Sequence, residues 1–114
     1  MIRGKVVLVP FPFDDLSRVK VRPAVGLSNP VGPHRHIVVA FLTSRIPTEP
    51  LDSDLILDSR LAGFPATGLL KPSALRLHRL MTFPTHSLLR ELGEISPLMQ
   101  KEIDKRLKTL FSLR

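Results

Sequence analysis

The sequence predicts a small, mainly β fold: a mostly antiparallel barrel or half-open sheet with one helix laid across it at the C-terminus. Three observations predict it. Five or more short runs have strand length and apolar or β-branched character. Gly, Pro, Asn and Asp clusters punctuate them. A single strong helix start, Ser96-Pro97, comes only near the end of the chain.

The runs follow in order. Gly4-Lys5-Val6-Val7-Leu8-Val9 is a strand, and Pro10-Phe11-Pro12-Phe13 continues it in extended form. Proline cannot donate to a ladder, so those prolines forbid a central ladder position. Asp14-Asp15-Leu16-Ser17-Arg18 has turn composition, and paired aspartates there read as an Asx-type turn rather than a metal or acid/base pair. A second strand covers roughly Pro23 to Leu27. Asn29-Pro30-Val31-Gly32-Pro33 is a loop, and His36-Ile37-Val38-Val39-Ala40-Phe41-Leu42 reads as a central strand buried on both faces.

The second half is more broken. Ile46 to Asp54 is a Pro-rich, acidic loop, and Leu55-Ile56-Leu57-Asp58 is a short strand. Ser59 to Gly68 is irregular. Ala74 to Phe83 is a long strand with Leu75, Leu77, Met81 and Phe83 on one face and Arg79 interrupting. Arg76, His78 and Thr82 take the other face, with Leu80 interrupting. That polar, basic face is either solvated or a binding surface. Ser87 to Gly93 is open between a helical turn and a short strand. The last helix carries Met99, Ile103, Leu107, Leu110 and Phe111 on its apolar stripe.

At 114 residues the chain reads as one domain, residues 1–114, with 43% hydrophobic and 24% charged residues. It holds no Cys, which excludes disulfides, zinc thiolate sites and thiol nucleophiles. No run reaches the ~18 apolar residues of a membrane span, and the N-terminus lacks a signal-peptide core. Cytoplasmic residence, with no membrane partner, is the expectation. The net charge of +7 points to a polyanionic partner, nucleic acid first. With no Tyr or Trp, base stacking is thinly supplied, so phosphate contacts and hydrogen bonds would carry recognition.

Two places invite chemistry. In Lys20-Val21-Arg22-Pro23 the proline biases Arg22 toward extended geometry at a strand start, where its planar fork can meet a phosphate. Ser28 ends the same run. Thr43-Ser44-Arg45 closes the central strand with polar side chains; the hydroxyls either cap backbone groups or donate to a phosphate. His34 and His36 lack a third metal ligand at useful spacing. His78 and His86 could act as general acids or bases, yet nothing in their spacing pairs them. No phosphate-binding glycine loop, dinucleotide fingerprint or nucleophile elbow is present.

Taken in order, Gly4 to Phe13, Lys20 to Val25, Val39 to Ser44, Gly68-Leu69-Leu70-Lys71-Pro72-Ser73 and Gly93-Glu94-Ile95-Ser96 with the terminal helix resemble MazF/PemK-type toxins. The resemblance runs through nearly all of the chain. It implies an SH3-like β-barrel of the MazF/PemK/CcdB-like kind, with a C-terminal α-helix packed on the sheet. It also implies a homodimer, a cognate antitoxin, and metal-independent cleavage of single-stranded RNA without a cofactor. By the same resemblance the arginine before proline corresponds to Arg22 and the threonine ending the third strand to Thr43, as catalytic residues. Lys20, Ser28, Ser44, Arg45, Arg76 and His78 are the candidates for substrate binding. Gyrase-poisoning relatives share this fold without cleaving RNA, and a degenerate member that only binds RNA is the other alternative. Lys5, where relatives usually carry an acidic residue, the short segment Asp14 to Val19, and Arg45 depart from the family pattern.

Overall fold

The computed structural model describes residues 1–11 and 20–114. The predicted turn through Asp14 and Asp15 lies outside them. Within them six strands form one antiparallel sheet: β1 (Lys5–Phe11), β2 (Lys20–Gly26), β3 (His36–Thr43), β4 (Asp54–Leu57), β5 (Ser73–Pro84) and β6 (Arg90–Glu94). Their order is β4-β5-β3-β2-β1-β6, and the sheet curls into a half-barrel closed by one helix, α1 (Pro97–Leu110). The predicted architecture is the observed one.

The prolines sit where a ladder can spare them. β1 pairs with β6 only from Lys5 to Leu8, so Pro10 meets β2 alone. Pro23 faces Leu8, while the β2–β3 ladder begins at Ala24. β3 lies between β2 and β5, and every residue from Ile37 to Leu42 except Val38 is buried. Such burial on both faces explains its unbroken apolar run. The stretch Ser87 to Gly93, open between a helical turn and a strand, resolves mainly as strand: Ser87 closes a 3-10 turn over Thr85–Ser87, and β6 begins at Arg90.

Two apolar clusters occupy the two faces. Val6, Val25, Ala40, Leu42, Leu55, Leu57, Leu75 and Leu77 pack with Met99 and Ile103 of α1. Val7, Val9, Ala24, Ile37, Val39, Phe41 and Phe83 form the second cluster, bordered by Ile2, Phe11, Met81 and Leu88. The sequence reading assigned Leu75, Leu77, Met81 and Phe83 to one face of β5, and this is where the structure departs from it. Opposite β3, Ala40 faces Leu80 but the next residue, Phe41, faces Arg76. Leu77, His78 and Arg79 therefore have no counterpart on β3, and the alternation resets across them. Leu75 and Leu77 serve the first cluster, Met81 and Phe83 the second, and Leu80 packs on the first rather than interrupting a polar face.

Ser96 caps α1 as predicted, its hydroxyl accepting from the Met99 N–H at 3.2 Å, with Pro97 in the first turn. Met99 and Ile103 are buried, and Leu107 and Leu110 pack at the edge of the cluster. Phe111 leaves the predicted stripe: the helix ends at Leu110, and Phe111 is 52% exposed.

The β4–β5 connection reaches the far edge of the sheet. Its 3-10 turn, Pro65–Thr67, packs on β6 so closely that a Cβ on Gly93 would collide with the backbone oxygens of Ala66 and Thr67. On the other side of β6, Lys5 bridges Glu91 at 3.2 Å and Glu94 at 3.3 Å. Those two carboxylates hold the lysine ammonium above its ordinary pKa. Where the connection begins, the Arg60 guanidinium hydrogen-bonds the Asp58 side chain, the Arg60 backbone N–H adds a bond, and the carboxyl is held below its ordinary range.

Gly93→Ala should cost about 2 kcal/mol or more, because the clash is with backbone that cannot rotate away. Gly32→Ala, at a φ of +76° in open space, should cost only about 1 kcal/mol. Thermal or urea unfolding of the two variants checks the ranking. A second outcome concerns acid. Because Asp58 has a lowered folded pKa, its contribution is fully present above the ordinary aspartate pKa of ~3.9 and is lost as pH falls through the folded value. The stability gap between wild type and Asp58→Asn should be present at pH 6 and close on acidification, as followed by denaturant melts at stepped pH.

Candidate functional site: a basic cleft at the end of the second core

The second apolar cluster runs out at Phe11 and Phe41, whose rings meet edge to face with centroids 4.6 Å apart. Beyond them opens a cleft of about 170 Å³ lined by Phe11, Arg22, Phe41, Leu42, Thr43, Arg76 and Arg79. Three arginines and one hydroxyl thus surround an apolar floor.

Strand geometry explains how residues so distant in sequence converge. Ala24 belongs to the second cluster, and alternation puts Arg22, two residues earlier, on the same face. Thr43 stands two residues beyond Phe41 on that face of β3. Carrying the β2–β3 register on from Ala24 opposite Phe41 sets Arg22 against Thr43. Arg76 enters from β5, opposite Phe41. Arg79 joins it only because the alternation resets between them; an unbroken β5 would send these two arginines to opposite faces. Sequence reasoning missed Arg79 for this reason, although its interruption of an apolar face was the visible sign of a broken alternation.

The local chemistry is specific. Thr43 is half-buried, and its Oγ1 accepts from the Arg45 backbone N–H at 3.1 Å. A hydroxyl that accepts in this way still carries a hydrogen to donate, so the capping and donating readings of Thr43 are compatible. Arg76 donates its Nε–H to Asp54 Oδ1 at 3.1 Å. The Asp54 side chain is completely shielded from solvent, and its other oxygen accepts from the Leu51 N–H at 2.9 Å. The Pro-rich, acidic composition predicts a loop through Asp54; it is instead the buried first residue of β4, opposite Arg76. Only the pairing of β4 with β5 discloses this.

The other candidates are dispersed. Lys20 lies on β2 two residues before Arg22, at the exposed end of that strand. Ser44 and Arg45 follow Thr43 and are exposed. His78 does not line the cleft; its Nδ1 lies 3.9 Å from Asp54 Oδ1, and its side chain is 35% exposed. Ser28 stands six residues from Arg22, roughly 20 Å along the chain. Its hydroxyl accepts from the Val38 N–H at 3.0 Å, so the structure does not bring it to the cleft. His34 lies in the turn before β3 and His36 is the first residue of that strand, with ring centroids 6.0 Å apart. Among the described residues no three His, Cys, Asp or Glu side chains converge to hold a metal ion. Among the same residues no helix is long and apolar enough to cross a membrane.

Larger by volume, about 530 Å³, is a groove between α1 and the segment after β4, lined by Leu55, Leu61, Pro97, Leu98 and Met99. It is mostly apolar; its polar lining is Ser96, engaged as the cap of α1, with Glu102 and Arg106, which pair with each other at 2.9 Å. The charged cleft is the better candidate for chemistry on an anion.

Solved structures with this architecture are available for comparison. The Mycobacterium tuberculosis toxin MazF-mt6 superposes with a TM-score of 0.74 at 20% identity, covering 96% of this chain and 98% of that one. A mycobacterial endoribonuclease in complex with its cognate antitoxin matches at 0.71 and 20% identity, over 100% of this chain and 97% of that one. A MazE–MazF structure from Deinococcus radiodurans matches at 0.69 and 17% identity, over 100% and 98%. No curated protein sequence matches. At such identities the superpositions speak for the fold; it is the sequence profile of PemK-like, MazF-like toxins of type II toxin–antitoxin systems, matching residues 2–111, that places this chain in that family.

Proposed function

We propose that this toxin is an endoribonuclease that cleaves single-stranded RNA at its own phosphodiester, using the substrate's 2′-hydroxyl as nucleophile. The observation that carries the reading is the meeting of Arg22, Thr43 and Arg76 around one cleft. Attack forms the 2′-O–P bond and breaks the P–O5′ bond. The 2′-hydroxyl loses its proton and the departing O5′ gains one, so the products are a 2′,3′-cyclic phosphate and a 5′-hydroxyl. No water, metal or cofactor enters the balance.

Each role follows from charge. Negative charge grows on the nonbridging oxygens as phosphorus becomes pentacoordinate, and preorganised donors aimed there lower the barrier. Arg22 supplies a permanent cation with a planar fork, and Thr43 supplies the hydroxyl hydrogen. Arginine is a poor base because its guanidinium stays protonated at any working pH. The base that takes the 2′-hydroxyl proton is left unassigned, because His78, two residues from Arg76 on β5, does not line the cleft. Arg76 and Arg79 hold the backbone beside the scissile phosphate, with Lys20, Ser44 and Arg45 extending the contact along the strand. Ser28 has no part in it. The toxin acts in the cytoplasm as a homodimer on mRNA, inhibiting translation and growth. A cognate antitoxin with an acidic or amphipathic tail, matched to the net charge of +7, blocks the cleft.

Purified toxin incubated with a defined single-stranded RNA in EDTA should leave 2′,3′-cyclic phosphate ends. Arg22→Ala and Thr43→Ala should each cut about 10²–10³-fold more slowly. Full activity in Arg22→Ala would overturn the assignment of that residue. Intact RNA with folded, antitoxin-free wild type would turn the reading toward a toxin that binds a protein target, such as DNA gyrase.

A further inference from the structure

We propose that Asp54 is a positioning residue: by holding one edge of the Arg76 guanidinium it aims the other edge at the RNA phosphate in the cleft. This rests on the ribonuclease reading and adds to it a residue that never touches substrate.

The Asp54 carboxylate is fully shielded, and a buried charge persists only when it is paired and hydrogen-bonded. It accepts the Leu51 N–H on Oδ2 at 2.9 Å and the Arg76 Nε–H on Oδ1 at 3.1 Å, with His78 Nδ1 farther from Oδ1 at 3.9 Å. The strand that carries it is held from the opposite side as well. Arg106 of α1 donates through Nη1 to the backbone oxygens of Asp52 and Asp54, at 2.6 and 2.8 Å. Asp54 is thus fixed by a backbone bond, by strand pairing and by the helix, and it acts as a rigid anchor.

What it anchors is a guanidinium with five N–H donors in one plane. Asp54 takes only the Nε–H. Among the described residues the Nη groups of Arg76 donate no further hydrogen bond, and the side chain lines the cleft. A planar fork held at Nε has its Nη1/Nη2 edge turned away from the anchor, in a fixed direction that a phosphate can meet. Arg79 gives the contrast. It lines the same cleft, is exposed, and makes no hydrogen bond or ion pair among the described residues. Both arginines contribute charge, but only Arg76 is preorganised, so orientation of the phosphate depends on Asp54.

The test is a double-mutant cycle read by cleavage and by binding of an RNA carrying a 2′-deoxy substitution at the scissile position. Asp54→Asn keeps the shape and an acceptor for the Leu51 N–H but removes the charge that holds Arg76. It should slow cleavage about 10- to 100-fold, the effect of a misplaced reacting group. It should also lower the salt slope of RNA binding by about one phosphate contact. In an Arg76→Ala background the same substitution should change neither readout. A merely structural Asp54 would lower activity equally in both backgrounds and leave the salt slope alone, which would overturn the proposal. Arg76→Lys tests it without disturbing Asp54: one ammonium can pair with the buried carboxylate but cannot also present a fork, so cleavage should fall to within a few fold of Arg76→Ala. Wild-type activity in Arg76→Lys overturns the proposal. Wild type that leaves RNA intact removes the ribonuclease reading and this inference together, whereas active wild type beside equally active Asp54→Asn overturns this inference alone.

Discussion

The break in register between β3 and β5 is the constraint on which most of this structure depends. A strand with strict alternation can offer its apolar side chains to one face only. β5 has to feed two apolar clusters, one under α1 and one on the opposite face, and it does so by leaving Leu77, His78 and Arg79 without partners on β3. Upstream of the break Leu75 and Leu77 face the helix, and downstream Met81 and Phe83 face the other cluster. The same break decides the electrostatics, since it alone puts Arg76 and Arg79 on one wall of the cleft. Packing and binding chemistry here share a single cause.

Around that break the fold protects its edges by different means. β6 is covered by the 3-10 turn Pro65–Thr67, with glycine at position 93 because the backbones approach too closely for a side chain. At β4 the carbonyl of Asp54, and that of Asp52 just before the strand, accept from Arg106. An uncovered row of donors and acceptors would invite pairing with another chain, so each edge is either shielded or chemically engaged. Lys5 fits the same picture. It stands in β1 and is matched with Glu91 and Glu94 on β6.

Placement in the MazF/PemK toxin family and the shape of the cleft bear on function in different ways. The family makes this chain the toxin of a toxin–antitoxin pair. The cleft says what an anion would meet on arrival: an apolar floor of Phe11 and Phe41, cations from β2 and β5, and one hydroxyl from β3. The chain has no Tyr or Trp and only six Phe, two of them engaged with each other in the cleft floor. Charge and hydrogen bonding are therefore what the site has most of, which suits a phosphate better than a base.

Much was legible in the sequence because it is local. Strand lengths, prolines at one-sided ladder positions, the Ser96 cap and the doubly buried β3 all follow from backbone chemistry and hydrophobic period acting over a few residues. Arg22 before proline and Thr43 at a strand end stood out on the same grounds. What only the tertiary structure decided is which side chains meet. Asp54 sits in a stretch whose composition reads as a solvated loop, and its burial comes from pairing with Arg76, 22 residues away. Arg79 reads as the wrong residue on an apolar face until the register break turns that face over. Ser28 reads as part of the Arg22 stretch, but a strand's length carries its hydroxyl away to the Val38 N–H. Pattern determines what each segment is; register, set by side chains competing for two cores at once, determines what each segment touches.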